Sequence, residues 1–159
     1  MTTPIEADRH TEQTGQGASG SGRAGGVRVL VTGSRTWTDR DTVWAALDGV
    51  AQSRPASMTV VHGACPRGAD LYAAQWVTHH LELGHPVVEE AHPADWDRDG
   101  RAAGPRRNQR MVAGGADLCL TFIGPCLAAD CFRPLQHGTH RAVHCATAAR
   151  DAGIPIHHA

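Results

Sequence analysis

The 159-residue chain contains no lysine; all fifteen of its basic residues are arginine. That absence excludes a Walker A loop, whose lysine reaches the phosphates, and any Schiff-base chemistry. Aromatic residues are sparse, with two Phe, one Tyr and four Trp, too few for a row of stacking platforms along single-stranded nucleic acid. No apolar run approaches the ~18 residues of a membrane span, and the N-terminus lacks a hydrophobic export core. Net charge is −1, so wrapping of nucleic acid by a basic surface is not expected. The five cysteines (Cys65, Cys119, Cys126, Cys131 and Cys145) are an odd number without an export signal, and they read as reduced thiols. These absences together point to a cytoplasmic chain of one domain, with no membrane partner.

Residues 1–25 are polar, Gly/Ser-rich and aperiodic, the composition of a disordered tail. Residues 26–159 are expected to form the domain. "VRVLVTGS" is a β-branched run ending in a glycine turn, and "MTVVHG" (Met58–Gly63) repeats the design. "HPVVEEAH", "ADLCLTFIG" and "IPIHH" supply three further strands. Helical stretches lie between them. "DRDTVWAALDGVAQ" places Val43, Leu47 and Val50 on one face, and "GADLYAAQWVTHHLELG" does so with Leu71, Ala74, Val77 and Leu81. "GRAAGPRRNQRMVAGG" is helical at least after Pro105, which suits a first turn, and "GTHRAVHCATAARDAG" is the last helix. Regular alternation of strand and helix predicts an α/β fold: one Rossmann-like three-layer domain on a mainly parallel sheet of about five strands.

Ligands of such sheets bind beyond the carboxyl ends of the strands, where strand order reverses. The loops predicted there are rich in glycine and arginine. "TGSRTWTD" follows the first strand, "HGACPRGAD" the second and "HPADWDRDGRAAGPRRN" the third. Glycines admit an anion close to backbone N–H groups, and Arg35, Arg67, Arg106 and Arg107 offer bidentate bonds to phosphate oxygens. The third loop opens the most basic stretch, with five arginines between Arg98 and Arg110. A helix turns about 100° per residue, so not all can point inward. Arg107 and Asn108 are placed facing the ligand, and Arg101, Arg106 and Arg110 facing solvent, with Asp97 and Asp99 pairing with Arg101. Trp96 is either packing under a loop or a stacking surface for a base.

These motifs, with "GTHRAVHCATAARDAGIPI" at the end, resemble the YspA-like branch of the SLOG superfamily, which also holds the Lonely Guy (LOG) cytokinin-activating hydrolases and the DNA-processing protein DprA. The resemblance runs from about Val27 to Ile156. It implies a Rossmann-like domain that binds a nucleotide or nucleotide-derived phosphorylated ligand, as a sensor or processing module, often in phage and bacterial conflict settings. Carried over by motif, the ligand contacts are Gly33, Ser34 and Arg35, then Gly63, Gly68, Ala69 and Asp70. Asp95, Trp96, Gly104, Arg107 and Asn108 follow in the third loop, and Gly138 and Thr139 in the last. The related folds commonly pair through helices, which suggests a homodimer.

LOG-type hydrolysis of a nucleoside monophosphate at its N-glycosidic bond needs a carboxylate near the ribose. The LOG pattern, GGxGTxxE, carries it as a glutamate on the helix after the GT turn. Here Gly138 and Thr139 are present, but the matching position is Ala142. Binding therefore leads and no cofactor is required; an N-glycosidase with Asp95 as a substitute catalytic carboxylate is the alternative. DprA-like DNA binding ranks below it. The leading reading takes no metal. A structural zinc site is the further alternative, its ligands Cys126, Cys131, His137 and His140 in the insert "GPCLAADCFRPLQHG".

Overall fold

The computed structural model describes residues 26–54, 56–132 and 137–159; the tail expected for residues 1–25 lies outside these. The chain runs β1 (Gly26–Gly33), α1 (Arg40–Ser53), β2 (Ser57–His62), α2 (Ala69–Glu82), β3 (Val87–Ala91), α3 (Trp96–Asp99), a 3-10 turn (Gly100–Ala102), α4 (Ala103–Ala113), β4 (Leu118–Phe122), α5 (His140–Asp151) and β5 (Ile156–His158). The five strands form one sheet in the order β3-β2-β1-β4-β5, with every pair parallel. β1 is central. The chain steps outward to β3, returns across β1, and continues through β4 on its other side, so the order reverses between β1 and β4.

Alternation along the strands divides the core between two faces. Val29, Val31, Val60 and Phe122 pack with Val43 and Leu47 of α1 and Trp76 and Val77 of α2. Leu30, Val61 and Cys119 pack on the other face with Met111 of α4 and Cys145 and Ala149 of α5. The α1 face is the one read from the sequence. The α2 face is rotated from the expected one: Ala69, Ala73, Trp76 and Val77 are buried, Leu71 and Ala74 half-buried, and Leu81 52% exposed. Trp76 dictates this rotation. It is the largest side chain on the helix, fully buried, and its indole donates to the Asp48 carboxylate at 2.8 Å. Among the described residues, no helix is long and apolar enough to cross a membrane.

A long-range ion pair ties the sheet's strands together. Arg28 on β1 reaches over β2 to grip Glu90 of β3 with two bonds, 2.7 and 2.9 Å, while its Nε donates to the Gly115 carbonyl. Hydrogen bonds from Arg28 first, with His92 adding, hold Glu90 down at about 2 against an ordinary 4.5. A carboxylate depressed on folding stabilises the fold above its unfolded pKa and loses that contribution as pH falls through the folded value. Solvent screens this half-exposed pair, so Glu90→Gln is expected to cost about 1 kcal/mol at neutral pH. Urea titrations of both proteins check it: the gap between them should close as the pH is lowered from about 5 to about 2.

Candidate functional site

Three glycines allow the strand ends to crowd together. A Cβ on Gly33 would collide with Ala69 and with the Phe122 carbonyl. Gly68 has φ +71°, and a Cβ there would strike the Ser34 carbonyl oxygen, so the loop after β1 lies directly on the start of α2. Ser34 then knits the reversal point. Its N–H donates to the Phe122 carbonyl at 2.9 Å, its Oγ accepts from Gly124 N–H at 2.8 Å, and it shares a 2.6 Å hydrogen bond with Thr139 Oγ1. Ser34 is buried and committed to the scaffold, as are Gly68 and Ala69; the half-buried Gly138 is committed too, since its would-be Cβ meets Ile123 and Val143.

A cavity of about 390 Å³ opens at this point, within the range of small-molecule sites. Of the residues anticipated from the sequence, Gly33, Arg35, Gly63, Asp70, Arg107, Asn108 and Thr139 line it. Arg107 and Asp70 form its floor, 8% and 7% exposed. The Arg107 guanidinium lies across Gly63, donating Nη1 to that residue's carbonyl and filling the space a side chain would need. Its Nε donates to Asn108 Oδ1 at 2.9 Å, and Asp70 Oδ2 stands 4.0 Å from Nη1. Asp70 accepts from Cys65 N–H at 3.2 Å. Burial raises the Asp70 pKa, and the opposing pull of Arg107 does not cancel it.

Arg35 and Arg141 stand exposed at the mouth. Arg141 lies 4.8 Å over the Trp96 ring and Arg35 5.9 Å from its centroid. Among the described residues, neither arginine has a carboxylate in ion-pair contact. Partial burial, and then repulsion by Arg35 and Arg107, pulls the Arg141 pKa down from its ordinary value. Arg141 and Ala142 lie in the first turn of α5, at the helix's positive end, and line the cavity with Thr139 and His140. Sequence reasoning missed Arg141, although an arginine three residues after Gly138, at the start of the helix following β4, could have flagged it.

Trp96, Asp95 and Gly104 do not line the cavity. Trp96 is 42% exposed, beside the two mouth arginines and against Gly104. Asp95 caps the short helix α3, accepting from Arg98 N–H at 3.0 Å. The arginine-rich stretch divides as its helical periodicity requires: Arg107 and Asn108 are buried, and Arg101, Arg106 and Arg110 exposed. The expected partner of Asp99 is wrong, however. Asp99 binds Arg98 and Arg106, not Arg101, because the short helix and 3-10 turn carry Arg101 away, and these bonds hold its pKa at about 2. At the cavity's rim, Cys126 and His140 stand together with Cys131 and His137, the four candidate metal ligands. Cys119 and Cys145 are buried in the core, and burial pushes the Cys119 thiol up to about 12.

An all-parallel sheet with an arginine-lined crevice at its reversal point defines a Rossmann-like α/β domain. Residues 27–98 match the YspA, cpYpsA-related SLOG family, YAcAr, a stretch that covers the first two strand-end motifs and enters the third. The chain is 43% identical over 129 residues to the Gene 61 protein of Mycobacterium phage D29, covering 81% of this chain and 93% of the phage protein. It belongs to the YspA, cpYpsA-related SLOG family.

The close approach of β1's loop to α2 yields a stability test. Gly68→Ala combines a forbidden φ with a collision, and should cost at least about 2 kcal/mol. Gly84, at φ +78° with open space around it, isolates the conformational part, and Gly84→Ala should cost only about 1 kcal/mol. Denaturant midpoints of the two variants make the comparison.

Proposed function

We propose that the cavity binds a nucleotide or a nucleotide-derived phosphorylated small molecule, and that the protein acts as a sensor or processing module for it. The observation that carries this reading is the convergence of Arg35, Arg107 and Arg141 on a cavity whose single lining carboxylate among the described residues, Asp70, is buried at the floor. The uneven charge favours an anion. Phosphate at the mouth would meet Arg35, Arg141 and the first amides of α5, while Asp70 below would accept hydrogen bonds from sugar hydroxyls. Family membership supports a nucleotide-related ligand, and the phage origin of the relative fits a role in conflict between phage and host.

One observation keeps hydrolysis as the second reading and relocates it. Asp95 is a helix cap outside the cavity, whereas Asp70 lies inside with a raised pKa, the state suited to proton transfer. Against it, α5 offers the buried Ala142 where LOG hydrolases carry their glutamate. DNA tracking is disfavoured because Asp95 and Asp99 offset the charges of Arg98 and Arg106.

A thermal-shift panel of AMP, ADP, ATP, NAD, ADP-ribose, cyclic nucleotides and ribose 5-phosphate tests the proposal. A ligand at one hundred times its Kd should add about 2.7 kcal/mol of stability. Arg35→Gln and Arg141→Gln, both exposed and absent from the core, should each weaken binding at least about tenfold, a loss of about 1.4 kcal/mol. Unchanged affinity in both would remove the cavity as the site. Chromatography of the same mixtures decides between the two readings: intact nucleotide supports binding alone, and free base that disappears in Asp70→Asn supports hydrolysis.

A further inference from the structure

We propose that Cys126, Cys131, His137 and His140 form a structural zinc site that pins the loop between β4 and α5. One donor atom from each residue lies within 4.8 Å of all the others. Cys131 Sγ is 3.3 Å from Nε2 of both His137 and His140, and those two nitrogens are 2.9 Å apart. A tetrahedron's edge is about 1.6 times its centre-to-vertex distance. With metal–sulfur bonds of about 2.3 Å and metal–nitrogen bonds of about 2.0–2.1 Å, the edges are about 3.8 Å for S···S, about 3.6 Å for S···N and about 3.3 Å for N···N. The three separations among Cys131, His137 and His140 need change by only a few tenths of an ångström to reach them, while Cys126 Sγ lies within 4.8 Å of the other three donors. Four lone-pair donors crowd a common centre more readily around a cation than around one another.

The backbone explains how the ligands meet. Pro125 and Gly138 form an antiparallel bridge, Cys126 N–H donates to the His137 carbonyl at 2.8 Å, and Thr139 N–H donates to the Gly124 carbonyl at 3.1 Å. This clasp sets Cys126 beside His137 at the base of the loop. Cys131 returns on a turn closed to the Ala128 carbonyl, and His140 opens α5. The C-x4-C spacing of the thiols lies within the range of structural zinc sites. Among the loop's described residues the two largest apolar side chains provide no anchor, since Leu127 is 73% and Phe132 100% exposed. A metal would provide the missing anchor, as it does in small domains with little core.

The donor set indicates which metal and what role. Two thiolates and two imidazoles in a tetrahedron select zinc among abundant divalent ions. Four protein ligands leave no open position for water or substrate, so the site is structural. Selectivity for these residues follows from the fold, because Cys119 and Cys145 are sealed in the core and Cys65 lies in a different loop.

The test uses the full chain, purified without a histidine tag and without chelator. Elemental analysis should find about one zinc per chain, and the cobalt-substituted protein should show tetrahedral ligand-field bands with a thiolate charge-transfer band. Cys126→Ser, Cys131→Ser and the double variant His137→Ala/His140→Ala should each bind less than about a tenth of the wild-type metal, while Cys65→Ser keeps full occupancy. Chelation should lower the melting temperature of wild-type protein and leave that of Cys131→Ser unmoved. The proposal is overturned if the wild-type protein neither carries zinc nor takes up cobalt. A Cys126–Cys131 disulfide under non-reducing mass analysis, or equal metal loss in Cys65→Ser, overturns it as well. Every readout is independent of nucleotide binding.

Discussion

The Arg107 guanidinium, lying buried across Gly63 beside Asp70, is the constraint on which the functional end of the sheet depends. Removing an ion from water costs several kcal/mol even after relaxation, and the Coulomb attraction of a pair repays it only with good geometry and further hydrogen bonds. Here the pair is separated by 4.0 Å, so much of the compensation comes from neutral acceptors, the Gly63 carbonyl and Asn108 Oδ1. Asp70 is compensated less well, by the backbone N–H groups of Cys65 and Gly63 and a distant cation, and desolvation prevails in its pKa. This asymmetry leaves the Arg107 guanidinium less closely screened by Asp70 than a tight ion pair would. It also sets the register of three elements. Arg107 fixes α4 to the end of β2, and Asn108 Nδ2 donates to the Arg141 carbonyl at 3.1 Å, fixing α5 to α4.

The rest of the site follows from how closely these elements approach. Gly63 must be bare because a guanidinium occupies the place of its side chain, and Gly68 because the Ser34 backbone does. With both loops drawn down, the start of α5 reaches the crevice between β1 and β4 and delivers Arg141 there. Ser34 supports this from below. Its hydroxyl contacts both the loop after β4 and Thr139 at the head of α5, so one small side chain links the two halves of the sheet across the reversal point. Stability and charge are thereby separated: the buried members of the site hold the scaffold, and the exposed arginines remain uncommitted.

The fold was legible wherever a local pattern decided it. Short apolar or β-branched runs marked the five strands, the α1 stripe was read correctly, and the division of Arg107 and Asn108 from Arg101, Arg106 and Arg110 followed from helical geometry alone. Reading failed where the outcome depended on distant partners. The α2 face turned on a bond between Trp76 and Asp48, residues on different helices. Asp95 offered two roles to a local reading, and only the short helix α3, invisible as a periodicity over four residues, chose the cap. Arg141 looked unremarkable in "GTHRAVH" because its significance comes from the position of α5 against the sheet, which no neighbour in the sequence specifies. The four Cys/His residues could be named from composition, but their common centre depends on the clasp between residues 125 and 138.

The missing lysine acquires a physical meaning at this site. Arg141 faces Arg35 and Arg107, and burial together with their repulsion pulls its pKa down. From a reference above 12, a guanidinium absorbs such a shift and remains charged; an ammonium starting near about 10.4 is closer to neutrality for the same environment. The guanidinium plane also suits the indole beneath it, where Trp96 meets one arginine at 4.8 Å and another at 5.9 Å. Three mutually repelling cations can be kept together without an anion only if each stays ionised and finds neutral support, from a carbonyl, an amide or an aromatic ring. Arginine meets both conditions and lysine meets neither well. The charge so maintained is what an incoming phosphate would relieve.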